Sequence, residues 1–330
     1  MMNGVLVTGG AGYIGSHVVR QLGEAGERVV VLDNLVTGFA DAVLYGKLVI
    51  GDVGDSQLVD KLLKDYAIDA VLHFAAHTIV PESVTNPLKY YGNNTCQSRS
   101  LLESCQRAGI KHFIFSSTAA VYGMPADGVA REDSLLAPIN AYGTSKLMTE
   151  WMLRDLSAAS KLRHVILRYF NVAGSDPEAR IGQSTRHATL LIKVACEVAV
   201  GSRESLTIFG NDYPTRDGTG VRDYIHVEDL ASAHLDALRY LRAGGNSAIL
   251  NCGYGHGFTV REVLDTVERI SGHQLNVIEG PRRVGDPPSL VADVGRIGEV
   301  LGWRGTRDSL ETIVRDSLQW EKRLQQGRAE

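Results

Sequence analysis

The chain has 330 residues, with 34 Lys+Arg against 38 Asp+Glu, four Cys, 35 Gly, 9 Pro and 44% hydrophobic residues. At roughly 150 residues per domain this length predicts about two domains, with ample apolar material for a core. The net charge of −4, with no block of like charges, excludes the basic footprint of a general nucleic-acid or membrane-surface binder.

Any anionic ligand must therefore be held by a few placed arginines and backbone amides. Cys96, Cys105, Cys196 and Cys252 form no CxxC pair and no zinc-finger spacing, so small buried apolar side chains are expected at all four, and no metal. The opening Met-Met-Asn-Gly runs into Val5-Leu6-Val7 without a basic leader, and no run of 18 apolar residues occurs. A cytoplasmic protein is the expectation.

In chain order, short and almost wholly apolar runs at 5–7, 29–32, 48–50, 70–74, 113–115 and 165–167 read as strands buried on both faces of a parallel sheet. Helical patterns lie between them near 14–26, 56–65, 86–108 and 142–160. This alternation predicts an α/β fold with a doubly wound parallel Rossmann sheet. After about residue 171 the texture loosens: 171–186 is rich in Gly, Ser, Asp and Pro, and 209–222 has little apolar material. Helical patterns return near 188–200, 228–243, 259–271 and 308–323. Residues 1–171 are expected to form a nucleotide-binding domain and 172–330 a smaller α/β substrate-binding lobe, with 222–252 packing back on the first.

The first strand leads into Thr8-Gly9-Gly10-Ala11-Gly12-Tyr13-Ile14-Gly15. Gly9 suits the tight turn, Gly12 lets backbone approach a pyrophosphate, and Gly15 allows close helix–strand contact, while the helix N-terminus offers free N–H groups to phosphate. Asp33 ends the second strand, 18 residues after Gly15. A carboxylate there accepts ribose hydroxyls and repels a 2′-phosphate, which favours NAD over NADP. Asp52 and Val53 follow the third strand and are expected beside the adenine.

Tyr142-Gly-Thr-Ser-Lys146 opens a long helix, and its i, i+4 spacing puts phenol and ammonium on one face. The fifth strand ends at Thr118, whose hydroxyl is placed to meet the same substrate oxygen. A free Tyr, with a pKa near 10, is a poor base at neutral pH, and a neighbouring ammonium together with a positive nicotinamide is expected to stabilise the phenolate. A base so tuned takes a proton from a carbinol as hydride leaves. His73 and His77 lack partners at metal-ligand spacing and are read as hydrogen-bonded structural residues, and Asp229 as the N-cap of the following helix.

With these motifs the sequence resembles the extended short-chain dehydrogenase/reductase family of nucleotide-sugar enzymes over essentially its whole length. The shared stretches include Asp33-Asn34-Leu35, His73-Phe74-Ala75-Ala76, Ser116–Gly123, Arg168-Tyr169-Phe170-Asn171 and Gly210-Asn211-Asp212-Tyr213-Pro214-Thr215. The most specific is Asp217-Gly-Thr-Gly-Val-Arg222-Asp223-Tyr224-Ile225-His226-Val227, which points to its 4-epimerising members.

What the resemblance implies is NAD-dependent epimerisation at C4 of a UDP-hexose (UDP-glucose/UDP-galactose). Tyr142 would be the base, a 4-keto sugar the intermediate, and bound NAD the hydride acceptor and donor. Thr118 would hold the 4-oxygen, and Lys146 the nicotinamide ribose. The cofactor would further touch Tyr13, Ile14, Asn34, Phe74, Ala75, Ala76, Asn93 and Tyr169. Asn171, Arg222 and Arg283 would hold the UDP phosphates and Asp286 its ribose, with Phe209 and Leu290 also lining the substrate site. A homodimer through the helices near 86–108 and 142–160 is implied as well.

The chain departs from the family at Thr78, where a Lys is usual, at Leu190, where a polar residue is common, and at Ala141 in place of Pro. Leu290 leaves open UDP-N-acetylglucosamine or UDP-pentose as substrate. A decarboxylase and a non-catalytic NAD-binding regulator also stay open. A 4,6-dehydratase would need an Asp-Glu pair where this chain has Ala119-Ala120, and alanine transfers no protons.

Overall fold

The computed structural model describes residues 3–185, 188–283 and 285–327. Its first half runs β1 (Gly4–Thr8), α1 (Tyr13–Glu24), β2 (Arg28–Asp33), β3 (Lys47–Ile50), α2 (Ser56–Asp65), β4 (Ile68–His73), α3 (Val80–Thr85), α4 (Pro87–Tyr90), a π-helical turn (Tyr91–Cys96), α5 (Gln97–Ala108), β5 (His112–Thr118), β6 (Val129–Ala130), α6 (Ala141–Ala159) and β7 (Arg163–Tyr169). The second half runs β8 (Asn171–Ala173), α7 (Leu191–Ala199), β9 (Leu206–Phe209), β10 (Val221–Arg222), β11 (Tyr224–His226), α8 (Val227–Arg242), β12 (Ala248–Cys252), β13 (Phe258–Thr259), α9 (Val260–Ser271), β14 (Val277–Gly280), β15 (Ser289–Ala292), α10 (Gly295–Leu301) and α11 (Leu310–Gln326).

The central sheet has seven strands in the order β12-β7-β5-β4-β1-β2-β3, and every neighbouring pair is parallel. The apolar runs make this possible, because a parallel sheet is covered on both faces. On one face Val18, Val19 and Leu22 of α1 meet Leu230, Ala231 and Leu238 of α8. On the other, Val59, Leu62 and Leu63 of α2 meet Leu101, Leu102 and Cys105 of α5. Strand order reverses between β1 and β4, which opens a crevice at the carboxyl ends of these strands.

Sequence distance is no guide to sheet membership here. β12 completes the central sheet beside β7, whereas the two-residue β6 from the first half joins a four-stranded sheet with β15, β10 and β13. A separate apolar cluster is built from α7, α9 and α11.

Three local expectations need correction. The helical pattern near 86–108 is not one α-helix: Pro87 starts α4, and a π turn separates it from α5. Cys96 lies in that turn and is exposed, while the other three cysteines are buried. Asp229 does not cap α8. His226 caps it, its Nδ1 accepting from the Glu228 amide at 3.1 Å, because the buried Asp229 carboxylate is taken by the Tyr254 hydroxyl (2.6 Å) and the amides of Thr306 and Arg307 (2.9 and 2.8 Å).

Candidate active site

The loop from β1 to α1 shows why each glycine is there. Gly9 has φ +71°, and a Cβ on it would lie 2.5 Å from the Ala75 nitrogen. A Cβ on Gly15 would lie 2.3 Å from the Gly9 carbonyl oxygen. At Gly12 the nearest protein atom would be 3.3 Å away, so the space its missing side chain leaves faces outward. Gly12 stands at the N-cap of α1, with no capping side chain and no acid in the first turn. The amides there remain available to an anion, and the helix dipole favours negative charge at that end.

Asp33, buried at the end of β2, accepts from the Ala11 amide at 2.9 Å and the Leu35 amide at 2.8 Å. Its carboxylate thus braces the glycine loop and keeps lone pairs for a further donor. Asn34 reaches Asp52 at 3.3 Å, and Asp52 in turn accepts from the Gly54 amide at 2.8 Å; Val53 beside it is buried. Tyr13 donates to the Gly174 carbonyl at 2.7 Å, and Ile14 packs on the core beneath it. Phe74 follows β4, its ring 4.7 Å from that of His234, and Ala75 and Ala76 continue the same partly exposed segment. Asn93 donates to the Asn94 side chain at 3.0 Å.

The reacting groups expected from the sequence converge at the carboxyl end of β5. Thr118 pairs in register with Tyr169 of β7, and its hydroxyl lies near enough to the Tyr142 phenol to favour the phenolate. Asn140 caps α6 by accepting from the Gly143 amide at 2.9 Å, which fixes the turn that carries Tyr142. Lys146 is buried, donates to the Ser116 carbonyl at 2.9 Å, and sits 4.9 Å from the centre of the Phe115 ring.

In the ligand-free chain burial governs both groups. It raises the Tyr142 phenol, against the pull of Thr118, and lowers the Lys146 ammonium to about 7, against the pull of Glu150. The expected lowering of the phenol is therefore not met without a ligand. The ammonium is turned toward the Ser116 carbonyl and the Phe115 face. His73 beneath it is held to about 3, first by burial and then by the Lys146 charge, and bridges the Thr8 and Ser98 hydroxyls at 2.7 and 2.8 Å.

Asn94 and Glu150 at this centre carried no sequence motif, and they organise residues that did. The π turn buries Asn94, which accepts from the His77 amide (2.8 Å) and donates to the His77 carbonyl (3.0 Å) and the Ser145 hydroxyl (3.1 Å). It thereby ties the segment after β4 to the helix of Tyr142. Tyr169 is hydrogen-bonded to Ser116 through its hydroxyl. Glu150, buried one turn beyond Lys146, binds Arg168 and Ser117, and Arg168 donates to the Tyr122 hydroxyl at 3.0 Å. The available signals were an Arg closing an apolar strand and a Glu at i+4 from Lys146.

A second cluster gathers around β10 and β15. Arg222 on β10 donates to Asp286 at 2.8 Å and pairs in register with Leu290 on β15. The Arg283 guanidinium lies 3.8 Å from the centre of the Phe209 ring. Asn171 opens β8, and its amide donates to the Asp223 carbonyl at 3.0 Å. Leu290 and Phe170 both pack against the cluster of Ala119, Tyr122 and Leu147, which joins this group to the carboxyl end of β5. Leu190 directly precedes α7 and provides no cap. Among the described residues no His, Cys, Asp and Glu group is arranged to hold a metal.

A family model described as the NAD dependent epimerase/dehydratase family matches residues 5–253. The chain belongs to this family. Within it, the chain is 56% identical to the UDP-glucose 4-epimerase of Azospirillum brasilense over 324 residues, which is 98% of this chain and 93% of that one. The crystal structure of the Brucella ovis UDP-glucose 4-epimerase with NAD superposes with a TM-score of 0.94 at 42% identity, covering 97% of this chain and 98% of that one. The Bifidobacterium longum enzyme with NAD+ and UDP gives 0.93 at 35%, covering 98% and 100%. These matches cover 97–98% of this chain.

Proposed function

We propose that the protein is an NAD-dependent UDP-glucose 4-epimerase, with residues 1–171 as the NAD-binding domain and 172–330 as the UDP-sugar lobe. The observation that carries this reading is the convergence of Thr118, Tyr142 and Lys146 at the end of β5, beside an uncapped glycine-loop helix. The site fits NAD on its own terms. Gly12 leaves outward space for a pyrophosphate, Asp33 is held ready for a ribose, and Asp52 and Val53 border the adenine end. Tyr13, Ile14, Asn34, Phe74, Ala75, Ala76, Asn93 and Tyr169 complete the wall around it. When bound, NAD would supply the hydride acceptor and donor for C4 of the sugar.

Tyr142 receives the proton of the sugar 4-hydroxyl and gives it back after the 4-keto sugar has turned over. Thr118 holds the 4-oxygen by hydrogen bonding while that proton moves. Lys146 supplies an ammonium on the same face, so the charged form of the phenol is favoured once substrate and cofactor close the site. A guanidinium has five N–H donors. Arg222 spends two of its donors on Asp286 and the Val221 carbonyl, which leaves others for a diphosphate. Arg222 and Arg283 together offset the diphosphate charge, with Asn171 beside them, so a chain of net charge −4 needs no basic surface. Phe209, Asp286 and Leu290 border the rest of the UDP-sugar.

Ala119 and Ala120 form the turn directly after Thr118 and offer no acid or base for eliminating water, which favours epimerisation over dehydration. No helix among the described residues is long and apolar enough to cross a membrane. We place the protein in the cytoplasm, as a homodimer joined through α4, α5 and α6.

The test is incubation with UDP-glucose, UDP-galactose, UDP-N-acetylglucosamine and UDP-N-acetylgalactosamine, with NMR of the products. Interconversion of the first pair is expected, and the second pair reports whether Leu290 admits an N-acetyl group. Tyr142→Phe is expected to lower kcat by about 10²–10⁴-fold while NAD stays bound. No interconversion by the wild type in either pair would overturn the reading.

A further inference from the structure

Between Arg222 and Tyr224 the chain leaves one sheet for another: β10 belongs to the four-stranded sheet, and β11 pairs with β8. The residue at this crossing is Asp223, whose side chain is fully buried. Among the described residues its carboxylate is bound by backbone amides. Oδ1 accepts from Tyr254 at 3.0 Å, and Oδ2 accepts from Gly255 at 3.0 Å and Ala292 at 3.3 Å. Its own carbonyl accepts from the Asn171 amide at 3.0 Å, and its amide donates to the Leu290 carbonyl at 3.3 Å. A Cβ on Gly253 would lie 2.7 Å from Oδ2, so the glycine leaves the room that the carboxylate fills.

One residue therefore ties together β8, β15 and the turn after β12. Asn171 and Leu290 are bonded to it directly, and Arg222 is its neighbour in the chain. We propose that Asp223 is a positioning residue for the UDP-sugar, its ionised carboxylate holding Asn171, Arg222 and Leu290 in mutual register. This rests on the substrate reading given above.

The chemistry requires a pure acceptor. Three N–H groups point at two oxygens, and an ionised carboxylate is acceptor-only. An amide or a protonated acid puts a donor against a donor and leaves a buried N–H unsatisfied. Burial lifts this carboxyl to about 6, while the three amides and His256 pull it down. The other titratable groups around it are Arg222 beside it in the chain, the buried Cys252 thiol, and Asp229 with the Tyr254 phenol bonded to it. His256 is itself paired with Asp308.

The experiment compares wild type with Asp223→Asn in steady-state epimerisation of UDP-glucose at pH 7.5 and 5.5. Bound NAD is measured by absorbance, and direct UDP-glucose binding by calorimetry. At pH 7.5 the variant is expected to show KM and Kd raised about tenfold, kcat within about twofold and full NAD content. Lowering the pH should raise the wild-type Kd toward that of the variant, and leave the variant nearly flat. An unchanged Kd in the variant, or a fall in kcat at unchanged KM, would overturn the proposal. Should Asp223→Asn not fold, Gly253→Ala displaces the same carboxylate and is expected to give the same rise. A wild type that binds UDP-glucose but does not epimerise it defeats the reaction assigned above and leaves the calorimetric comparison to decide on Asp223.

Discussion

Gly12 and Gly15 sit three residues apart in one helix turn for different reasons, and substitution separates them. A methyl at Gly15 meets the Gly9 carbonyl at 2.3 Å, so Gly15→Ala is expected to cost on the order of 1–3 kcal/mol of overpacking, read as a lowered Tm. A methyl at Gly12 meets nothing closer than 3.3 Å in the protein. Gly12→Ala should therefore melt within a few degrees of wild type and yet purify with little NAD. Lys146 gives a pH signature. Burial lowers its folded pKa to about 7, below the ordinary lysine value of 10.5, so between these values the unfolded chain binds more protons. Stability of the ligand-free protein then rises with pH across that window, by up to about 1.4 kcal/mol per unit, and the cost is fully present below pH 7. Urea unfolding at pH 7 and 9.5 should show this rise in wild type and not in Lys146→Met.

At this scale the sequence was informative where a function needs contiguous residues: the glycine loop, Asp33, and Tyr142 with Lys146 at one helix turn. It was silent on Asn94, because nothing local says that an amide in a π turn will clasp the backbone of His77. It also could not show that burial, not the ammonium, sets the phenol's proton affinity in the ligand-free chain.

Helix α6 and strand β7 are joined by the buried pair Glu150–Arg168. Paired, the two charges compensate; removing one leaves the other without its counterion in a low dielectric. Arg168→Met is therefore expected to cost about 3–5 kcal/mol, measured by denaturant unfolding. Arg168→Met with Glu150→Leu should recover much of that loss, and a double variant no better than the single one would show that the pair is not the source. The long helices and apolar strands were legible because their periodicity is strong. The two-residue strands β6, β10 and β13 were not, since two residues carry no period and their pairing is decided by distant segments. The capping of α8 was misjudged for a related reason: Asp229 has the composition of a cap, but the loop at Thr306–Arg307 claims its carboxylate.

For the molecule as a whole, α4 and α6 leave Leu88 and Trp151 at 79% and 44% exposure, on the helices assigned above to the dimer. Leu88→Asp combined with Trp151→Ser should convert a dimer to a monomer in sedimentation. Unchanged sedimentation as a dimer would place the interface elsewhere. Composition loosens after residue 171 but does not say which strand joins which sheet: β12 lies in the central sheet and β6 outside it.

The late arrival of β12 and α8 has a consequence for synthesis. A nascent chain that has reached residue 171 already carries Thr118, Tyr142 and Lys146. Its β7 edge is still bare, and the apolar face of α1 still lacks α8. At roughly 5–20 residues per second, the missing strand follows on the order of ten seconds later. For that interval an unpaired strand edge is open to other chains. Ribosome-bound fragments ending near residue 171 should therefore be captured by chaperones, and those ending well past Cys252 released.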